Sequence, residues 1–381
     1  MKLGMVAGEA SGDLLGALLL EGFKQQSLEF EAFGIAGPRM QKLGVEAWWH
    51  SDALAVRGYV EVMRHYWRIV GIRNKISQRM KDAKPDLFIG VDAPDFNLVL
   101  ERRLRQQGIR TIHMVCPSIW AWRPERINQI RESCDHVLCI FPFEVELLRS
   151  QGVSATYIGH PLADVMPMSP DAAYAREHLG LSGEAAVGQV VALLPGSRLS
   201  EIEHLLPVFL DAVSILKQRM PSLNFVLPVA PGLMNKVQSY LAKHAAGAFI
   251  RCFQGQSQTA MVASDAVLVA SGTATLEAAL CKRPMVVAYR MPALSWWITQ
   301  KKRLQPWVSL PNILCERFVV PEFLQEDCTA ANLAQSVQEQ LQLSPSAQRA
   351  MRSTWDALHV SLMRNTSLTA SQAVREVLAH V

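Results

Sequence analysis

The chain has 381 residues, 50% of them hydrophobic, and a formal net charge of only +4 at pH 7. This length is enough for about two domains with large cores, and so small a charge argues against nucleic-acid binding through bulk electrostatics. The seven cysteines form no Cys-x-x-Cys pair, which is typical of reduced thiols in a cytosolic protein and argues against a zinc site. Glu9 and Asp13 interrupt the apolar amino terminus, which therefore predicts a first strand rather than a signal peptide, and no run of about 18 apolar residues predicts a membrane span.

Short apolar runs alternate with amphipathic stretches along the whole chain. The predicted strands are 2–7, 30–35, 86–91, 110–115, 135–140, 155–158, 189–194, 223–228, 248–252, 266–270 and 284–289. The predicted helices include 13–26, 96–107, 142–151, 199–220, 233–244 and 273–281, and further helical patterns cover 330–342 and 345–380. Alternation of this kind predicts parallel sheets that helices cover on both faces.

The number of strands predicts two sheets, and the proline-containing residues 161–188 are the expected joint between them. We expect one Rossmann-like domain over residues 1–165 and a second over 166–344. Helices over 345–381 would then pack back on an N-terminal domain, either that of the same chain or that of a partner. Ligands of open α/β sheets bind at the carboxyl ends of the strands, so two such domains facing each other would form a cleft.

The first predicted strand leads into a polar, glycine-containing loop at residues 7–13. Gly12 permits tight turning, and Ser11 or Asp13 can cap the helix that follows. Glu9 is a candidate for pointing into the cleft. The alternative is that Asp13 serves only as a helix cap.

Residues 57–84 combine eight Arg or Lys side chains with only two acidic ones and interleave them with apolar and aromatic residues. A basic helix with an apolar face suits an anionic membrane surface. The expected membrane contacts are Trp67, Arg68, Ile69, Ile72 and Arg73. The alternative is that the apolar face belongs to the protein core and that the charges are simply solvated.

The predicted strand 86–91 ends at Asp92, a place where a catalytic carboxylate can reach a bound ligand. We expect Asp92 to be a general base and Asp95 to cap the next helix. The alternative is that both carboxylates stabilise the turn.

Two tryptophans and an arginine follow the predicted strand 110–115. Trp120 and Arg123 can stack on a sugar or line an acyl channel. His113 lies inside the strand and is expected to be a buried core histidine.

Val190 to Leu194 form an apolar run that predicts a buried parallel strand, and Pro195 and Gly196 end it. A helix follows, so free N–H groups and the positive end of the helix dipole favour an anion there. Ser197 adds a hydroxyl group, and Arg198 adds a planar guanidinium that can bind a diphosphate. The alternative is an ordinary loop with a surface arginine.

A second turn of the same kind follows the predicted strand 266–270. Gly272 permits close approach of a ligand to the backbone, while Thr273 and Ala274 begin the next helix. Glu277 can accept hydrogen bonds from both hydroxyl groups of a ribose, although a carboxylate there can also just complement the helix dipole. The two turns together suit the diphosphate and ribose of one nucleotide, and neither a Walker A loop nor a Gly-x-Gly-x-x-Gly motif occurs.

Seven segments, in this order, closely resemble the lipid-A-disaccharide synthase family: AGEASGD, DAPDFN, PSIWAWR, IGHP, LLPGSR, SGTATLE and LPNIL. The resemblance covers almost the whole chain. It implies a GT-B glycosyltransferase with two Rossmann-like α/β domains facing a cleft and a helical C-terminal segment. The implied reaction joins UDP-2,3-diacylglucosamine to 2,3-diacylglucosamine 1-phosphate (lipid X) with inversion, needs no metal or other cofactor, and gives the β-1,6-linked disaccharide 1-phosphate and UDP.

The resemblance also implies where the protein works and what it binds. It implies a peripheral protein on the cytoplasmic face of the inner membrane of a Gram-negative bacterium, with no nucleic acid as a partner. It further implies a homodimer with exchanged C-terminal segments. The domain 1–165 would then face the acceptor and the membrane, and 166–344 would bind the UDP-sugar.

Combined with the residue-level analysis, the resemblance assigns roles to the candidate residues. Asp92 is the expected base, with Glu9 or Asp13 as the next choices. The expected UDP ligands are Ser197, Arg198, Gly272, Thr273, Ala274 and Glu277. The expected contacts to the acceptor or to other parts of the ligand are Ser11, Gly12, Trp120, Arg123 and Asn312.

Two other functions are compatible with these residues. One is another UDP-sugar enzyme of the same architecture, either a 2-epimerase or a transferase with a soluble acceptor. Such an enzyme has little use for the basic, apolar surface at 57–84. The other is a non-catalytic, membrane-docked UDP-sugar sensor, in which Asp92 would be dispensable.

Overall fold

The computed structural model describes residues 1–54, 59–181, 188–292, 296–297, 300 and 303–379. Contacts divide the chain into two compact units, which are Met1–Asp164 with Ser361–Val381 (unit 1) and Val165–Val360 (unit 2). Residues 182–187 of the predicted joint lie outside the described residues. The chain returns to unit 1 at Ser361, near the end of a helix that begins at Pro345, and the predicted domain limits stay predictions.

Unit 1 is built on a seven-stranded parallel sheet with the order β3-β2-β1-β4-β5-β6-β7. The strands are β1 (Lys2–Ala7), β2 (Glu31–Ala36), β3 (Glu46–His50), β4 (Leu87–Val91), β5 (Arg110–Met114), β6 (His136–Cys139) and β7 (Ala155–Tyr157). The first seven helices are α1 (Glu9–Gln25), α2 (Pro38–Lys42), α3 (Tyr59–Ala83), α4 (Pro94–Arg105), α5 (Arg126–Ser133), α6 (Pro142–Ser150) and α7 (Pro161–Val165).

Unit 2 is built on a six-stranded parallel sheet with the order β10-β9-β8-β11-β12-β13. The strands are β8 (Val190–Leu194), β9 (Asn224–Val229), β10 (Ile250–Gln254), β11 (Ala266–Ala270), β12 (Met285–Tyr289) and β13 (Glu322–Leu324). The helices are α8 (Ala172–His178), α9 (Leu199–Arg219), α10 (Met234–Leu241), α11 (Ser257–Ala263), α12 (Thr273–Leu280), α13 (Leu310–Leu314), α14 (Ala330–Leu341) and α15 (Pro345–Leu362), and α16 (Thr366–Ala379) returns to unit 1.

Helices cover both faces of the sheet in unit 1 because the strands are apolar on both sides. Leu3 and Met5 of β1 pack in one core cluster together with residues of α1 and α16. Val6 of the same strand packs in another cluster, with Ile76 of α3 and Phe96 of α4. Alternate residues of a strand point to opposite faces, so one continuous apolar strand supplies two cores.

The structure confirms the predicted α/β class with two parallel sheets, and both strand orders are those of doubly wound Rossmann-type sheets. Every predicted strand is present, with ends within two residues of the prediction. Two short strands, β3 and β13, were not predicted. Helix α1 begins at Glu9 rather than at Asp13, so only Gly8 separates it from β1.

The predicted C-terminal helical segment is present as two helices, α15 and α16. Helix α16 packs against α1, where a Cβ atom on Gly22 would collide with the carbonyl oxygen of Ser367. The Asp164 carboxylate caps α16, because it accepts hydrogen bonds from the N–H groups of Asn365 and Thr366 at 2.9 and 2.6 Å. Within the described residues, no helix is both long and apolar enough to cross a membrane.

Candidate active site

A pocket of about 430 Å³ opens in unit 2 where neighbouring parallel strands end. Leu194, Val229, Gly255 and Ala270 line it, at or just after the carboxyl ends of β8, β9, β10 and β11. This is the edge at which open α/β sheets bind ligands. The six residues that the sequence predicts as UDP ligands all line this pocket: Ser197, Arg198, Gly272, Thr273, Ala274 and Glu277.

The amino terminus of α9, where the sequence predicts an anion site, already holds an anionic side chain of the protein. Oε2 of Glu201 accepts hydrogen bonds from the backbone N–H groups of Ser197 and Arg198, at 2.9 and 3.2 Å. Its Oε1 atom lies 3.2 Å from Nη1 of Arg198, whose side chain is 76% exposed. Since a carboxylate occupies these two amides, the exposed guanidinium and the Ser197 hydroxyl group are what this turn can offer to a diphosphate.

The amino terminus of α12 is different. Gly272 precedes it with a φ of +149°, and no side chain of the described residues caps it. The Thr275 hydroxyl does not cap the helix, because it donates to the Gly272 carbonyl oxygen at 2.7 Å. Because first-turn amides have no acceptor within their own helix, the N–H groups of Thr273 and Ala274 can bind an anion in the pocket.

Glu277 lies one turn into α12 and lines the same pocket. Its carboxylate is half-buried and accepts no hydrogen bond from any residue that the structure describes. Burial raises the pKa of Glu277 above the ordinary value of a glutamate. A carboxylate in this state gains from hydroxyl donors, because they replace the water that burial has removed.

In unit 1, Asp92 and Ala93 form a strained turn directly after β4. Their φ angles are +52° and +46°, a region that non-glycine residues rarely adopt. The Asp92 N–H donates to the Met114 carbonyl oxygen at 2.9 Å. Its half-buried carboxylate accepts no hydrogen bond within the described part of the chain, so it remains available to a ligand.

Asn97 holds this turn in place, a role that sequence reasoning missed. Its buried Nδ2 group lies 2.8 Å from the carbonyl oxygen of Asp92 and 3.3 Å from those of Val91 and Val6. It therefore ties the ends of β1 and β4 to the strained residue. The only sequence signal was the position of Asn97 in the DAPDFN segment.

Glu9 lies close to the same edge, because β1 and β4 are neighbours and Ala7 pairs with Val91. Glu9 is exposed and has a φ of +72°. Ser11 is also exposed, whereas Gly12 is buried and packs against the Val91 carbonyl. Glu9 and Ser11 thus stand in the first turn of α1, near the turn that carries Asp92.

Asp13 is buried and caps a helix other than its own. Its Oδ2 atom accepts from the Arg39 N–H at 2.9 Å, and its Oδ1 atom accepts from the Met40 N–H at 3.1 Å, both in the first turn of α2. Gly37 leaves room for this carboxylate, since a Cβ atom there would collide with Cγ of Asp13. Both oxygens of Asp13 are therefore used by backbone amides.

The comparisons with known proteins agree over almost the full length of the chain. The family model described as lipid-A-disaccharide synthetase matches residues 3–377. The chain belongs to the lipid-A-disaccharide synthetase family. A lipid-A-disaccharide synthase from Albidiferax ferrireducens is 51% identical and covers 99% of this chain and 97% of its own. One from Verminephrobacter eiseniae is 48% identical, with coverages of 100% and 98%.

Solved structures share the fold of this family member at low sequence identity. The glycotransferase of kitacinnamycin superposes with a TM-score of 0.65 at 13% identity, covering 98% of both chains. A UDP-GlcNAc 2-epimerase from Neisseria meningitidis bound to UDP-GlcNAc gives a TM-score of 0.60 at 14% identity, covering 100% of both chains. These similarities confirm that this chain has a two-domain architecture of the GT-B type.

The family segment PSIWAWR places its two predicted contacts in different surroundings. The Trp120 indole donates to Oε1 of Glu144 at 3.0 Å, and burial raises the pKa of Glu144 to about 8. The Arg123 guanidinium lies over the ring of Trp122, 4.0 Å from its centroid. Trp120 therefore belongs to the aromatic support of the loop, while Trp122 and Arg123 lie at its surface.

Asn312, in the family segment LPNIL, is not among the residues that line the pocket of unit 2. Its Nδ2 group donates to Glu322 and Val320 at 2.8 and 2.9 Å, and its Oδ1 atom accepts from Val319 and Val320 at 2.7 and 2.9 Å. These four bonds use the whole capacity of the amide. The structure thus gives Asn312 a role in fixing the chain after α13.

The five predicted membrane contacts on α3 divide between core and surface. Ile72 is buried and Ile69 packs against the same core cluster, as the alternative interpretation of an amphipathic helix expects. Trp67 is 79% exposed, and Arg68 is exposed while donating to the Ala53 carbonyl at 3.1 Å. Arg73 lies over the Phe96 ring. The basic residues at 57 and 64 lie outside the side chains that the structure describes.

Asp13→Ala should destabilise the protein by about 1–2 kcal/mol, because one buried and one partly buried amide of α2 lose their acceptor. The midpoint of chemical denaturation measures this change. Asp82→Ala is the matched control, since Asp82 is exposed and its side chain accepts a hydrogen bond from Gln78 and from no other described residue. A folded Asp13→Ala protein with unchanged stability and no turnover would instead make Asp13 a catalytic residue.

Proposed function

We propose that this protein joins UDP-2,3-diacylglucosamine to 2,3-diacylglucosamine 1-phosphate and releases UDP. The observation that carries the proposal is the match of residues 3–377 to the lipid-A-disaccharide synthetase family. The pocket of unit 2 supports it, because all six residues expected to bind UDP line that pocket. The product is the β-1,6-linked disaccharide 1-phosphate.

In the proposed reaction, unit 2 holds the UDP-sugar and unit 1 supplies the base. The Asp92 carboxylate takes the proton of the acceptor 6-hydroxyl group. At the same time the oxygen of that hydroxyl group attacks the anomeric carbon of the UDP-sugar from the face opposite UDP. The bond from that carbon to the diphosphate oxygen breaks, and its electron pair leaves with UDP. Asp92 is preferred to Asp13, both of whose oxygens accept backbone N–H bonds, and to the exposed Glu9.

The negative charge that UDP gains must be stabilised in the pocket. The exposed Arg198 guanidinium and the open amides of Thr273 and Ala274 are the donors that unit 2 offers for it. Ser197 adds a hydroxyl group at the pocket wall. The carboxylate of Glu277 is assigned to the ribose hydroxyls.

A lipid-tailed substrate requires contact with a membrane surface, and we assign that contact to the exposed face of α3 around Trp67 and Arg68. An aromatic side chain that is 79% exposed beside a cation suits the headgroup region of an anionic membrane. Such a surface would make the protein peripheral on the inner membrane, on its cytoplasmic face. Co-sedimentation with anionic but not with neutral vesicles checks this assignment.

A homodimer with exchanged C-terminal segments also belongs to the proposal. The segment after Ser361 packs on unit 1 through α16, and its contacts to α1 could be made equally by the same segment of a second copy. Molar mass from light scattering tests the dimer, and disulfide crosslinking between α1 and α16 in mixed, differently tagged copies tests the exchange.

Turnover of the two glycolipids tests the proposed function directly. Purified protein with UDP-2,3-diacylglucosamine, 2,3-diacylglucosamine 1-phosphate and EDTA should give UDP and a tetraacyl disaccharide monophosphate, detected by mass spectrometry. Protein that binds UDP but forms no disaccharide would contradict the assignment and favour the epimerase or sensor functions.

Asp92→Asn should reduce turnover by a factor of about 10² to 10⁴, because the amide cannot accept the proton in the transition state. Affinity for UDP and stability should stay close to those of the parent, since the Asp92 side chain supports no described contact. Asp95→Asn is the control, a neighbouring carboxylate paired with Arg126 at the start of α4. Normal turnover of Asp92→Asn would exclude Asp92 as the base.

Affinity for UDP should fall on acidification earlier than an ordinary glutamate predicts. Burial raises the pKa of Glu277, so the carboxylate that accepts the ribose hydroxyls gains a proton at a higher pH than usual. Calorimetric titration of UDP across pH measures this. Glu277→Gln should weaken UDP binding by about tenfold at neutral pH and remove this part of the pH dependence. An unchanged pH profile in Glu277→Gln would assign the dependence to another group.

A further inference from the structure

Glu201 has a position in the nucleotide pocket that the proposed reaction does not use. It lies on α9 and lines the pocket with Arg198 and Ser197. Its side chain is only 14% exposed, although it carries a negative charge next to the place assigned to a diphosphate. A carboxylate at this position would repel a diphosphate. Its presence is explained if its contacts within the protein assist the binding of the ligand.

Those contacts divide between the two oxygens of Glu201. Oε2 accepts from the amides of Ser197 and Arg198 at 2.9 and 3.2 Å, which caps the helix. Oε1 pairs with Nη1 of Arg198 at 3.2 Å. One oxygen therefore fixes the backbone of the turn, and the other fixes the direction of the arginine side chain that leaves it.

The surrounding chain is shaped to keep Glu201 in this place. Gly196 has a φ of +122°, and a Cβ atom there would collide with the Cβ and Oε2 atoms of Glu201. Burial raises the pKa of Tyr289, Glu201 raises it further and Arg198 lowers it, so this phenol lies within the electrostatic reach of the pair. An exposed arginine without such a partner would sample many rotamers, and a ligand that orders it would have to offset the lost side-chain entropy.

We propose that Glu201 is a positioning residue that holds the Arg198 guanidinium ready for the diphosphate of the sugar nucleotide, while the open amides of α12 receive the same group from the other turn. This inference rests on the proposed function for the identity of the ligand. It gives the two helix termini separate tasks. At the start of α9, Glu201 accepts the backbone amides and orients the Arg198 side chain. At the start of α12, the first amides bind the anion directly.

Glu201→Gln separates the two tasks of the carboxylate. The glutamine oxygen can still accept the two amides, so the cap is retained, but its NH₂ group faces Arg198 and no longer pairs with it. We expect UDP affinity to fall about tenfold while uridine, which lacks phosphates, binds as to the parent protein. Glu203→Gln is the matched control on the same helix, since Glu203 pairs with Lys236 at 3.0 Å.

A double-mutant cycle tests whether Glu201 acts through Arg198. In an Arg198→Ala background, Glu201→Gln should change UDP affinity by less than about twofold, because the group that it positions is gone. The thermal midpoint of each variant checks that the fold is intact, and Glu201→Ala, which also loses the cap, should lower it more than Glu201→Gln does.

Four outcomes would overturn the inference. The first is tighter UDP binding by Glu201→Gln, which would show that the carboxylate competes with the diphosphate, and the second is a UDP affinity of Glu201→Gln equal to that of Glu203→Gln. The third is an equal loss of uridine affinity in Glu201→Gln. The fourth is a loss of UDP affinity that Glu201→Gln still causes in the Arg198→Ala background. Failure of the proposed function looks different. There the parent protein forms no disaccharide from the two glycolipids, whereas the contrast between UDP and uridine in Glu201→Gln is still measurable.

Discussion

Unsatisfied N–H groups at the starts of helices are the constraint on which both units depend. In a doubly wound fold every helix that follows a strand begins at the edge where ligands bind, and its first amides lack partners within the helix. This chain satisfies them in different ways. Asp13 caps α2 and Glu201 caps α9 from within the protein, whereas α12 begins after Gly272 without a side-chain cap among the described residues. Of these three helices, α12 is the one that has no side-chain acceptor at its start within the described part of the chain, and its first residues line the pocket of unit 2.

Backbone strain is concentrated at the same edges. Asp92 and Ala93 both have positive φ, and each such non-glycine residue costs on the order of 1–3 kcal/mol. Asn97 and the register between β1 and β4 hold the turn against that cost. As a result, the backbone of Asp92 is fixed at the sheet edge, while its carboxylate oxygens have no hydrogen-bond partner among the described residues. A general base needs this combination of a fixed position and free lone pairs.

Much of the fold and of the candidate nucleotide site could be predicted from the sequence because those features are local. Strands such as Val190–Leu194 are continuous apolar runs, and the residues around Arg198 and Gly272 follow their strands directly. The missed strand Glu46–His50 is a half-exposed edge strand, and Glu322–Leu324 has only three residues, so neither has a clear pattern. The apolar positions of α3 were ambiguous because a core-facing stripe and a membrane-facing stripe have the same helical period.

What the sequence could not supply were the partners of its polar residues. Asp13 precedes α2 by 25 residues, and nothing near it in the sequence shows that its oxygens reach Arg39 and Met40. Glu201 is only three residues from Arg198, yet that spacing fits a surface ion pair as well as a cap. The glycine at position 196 decides between a surface ion pair and a cap. Because it has no Cβ atom, the Glu201 carboxylate can turn back over the start of α9. A glycine, a glutamate and an arginine within six residues thus form one device, in which the glycine makes room, the glutamate satisfies the amides and the arginine is left to meet the ligand.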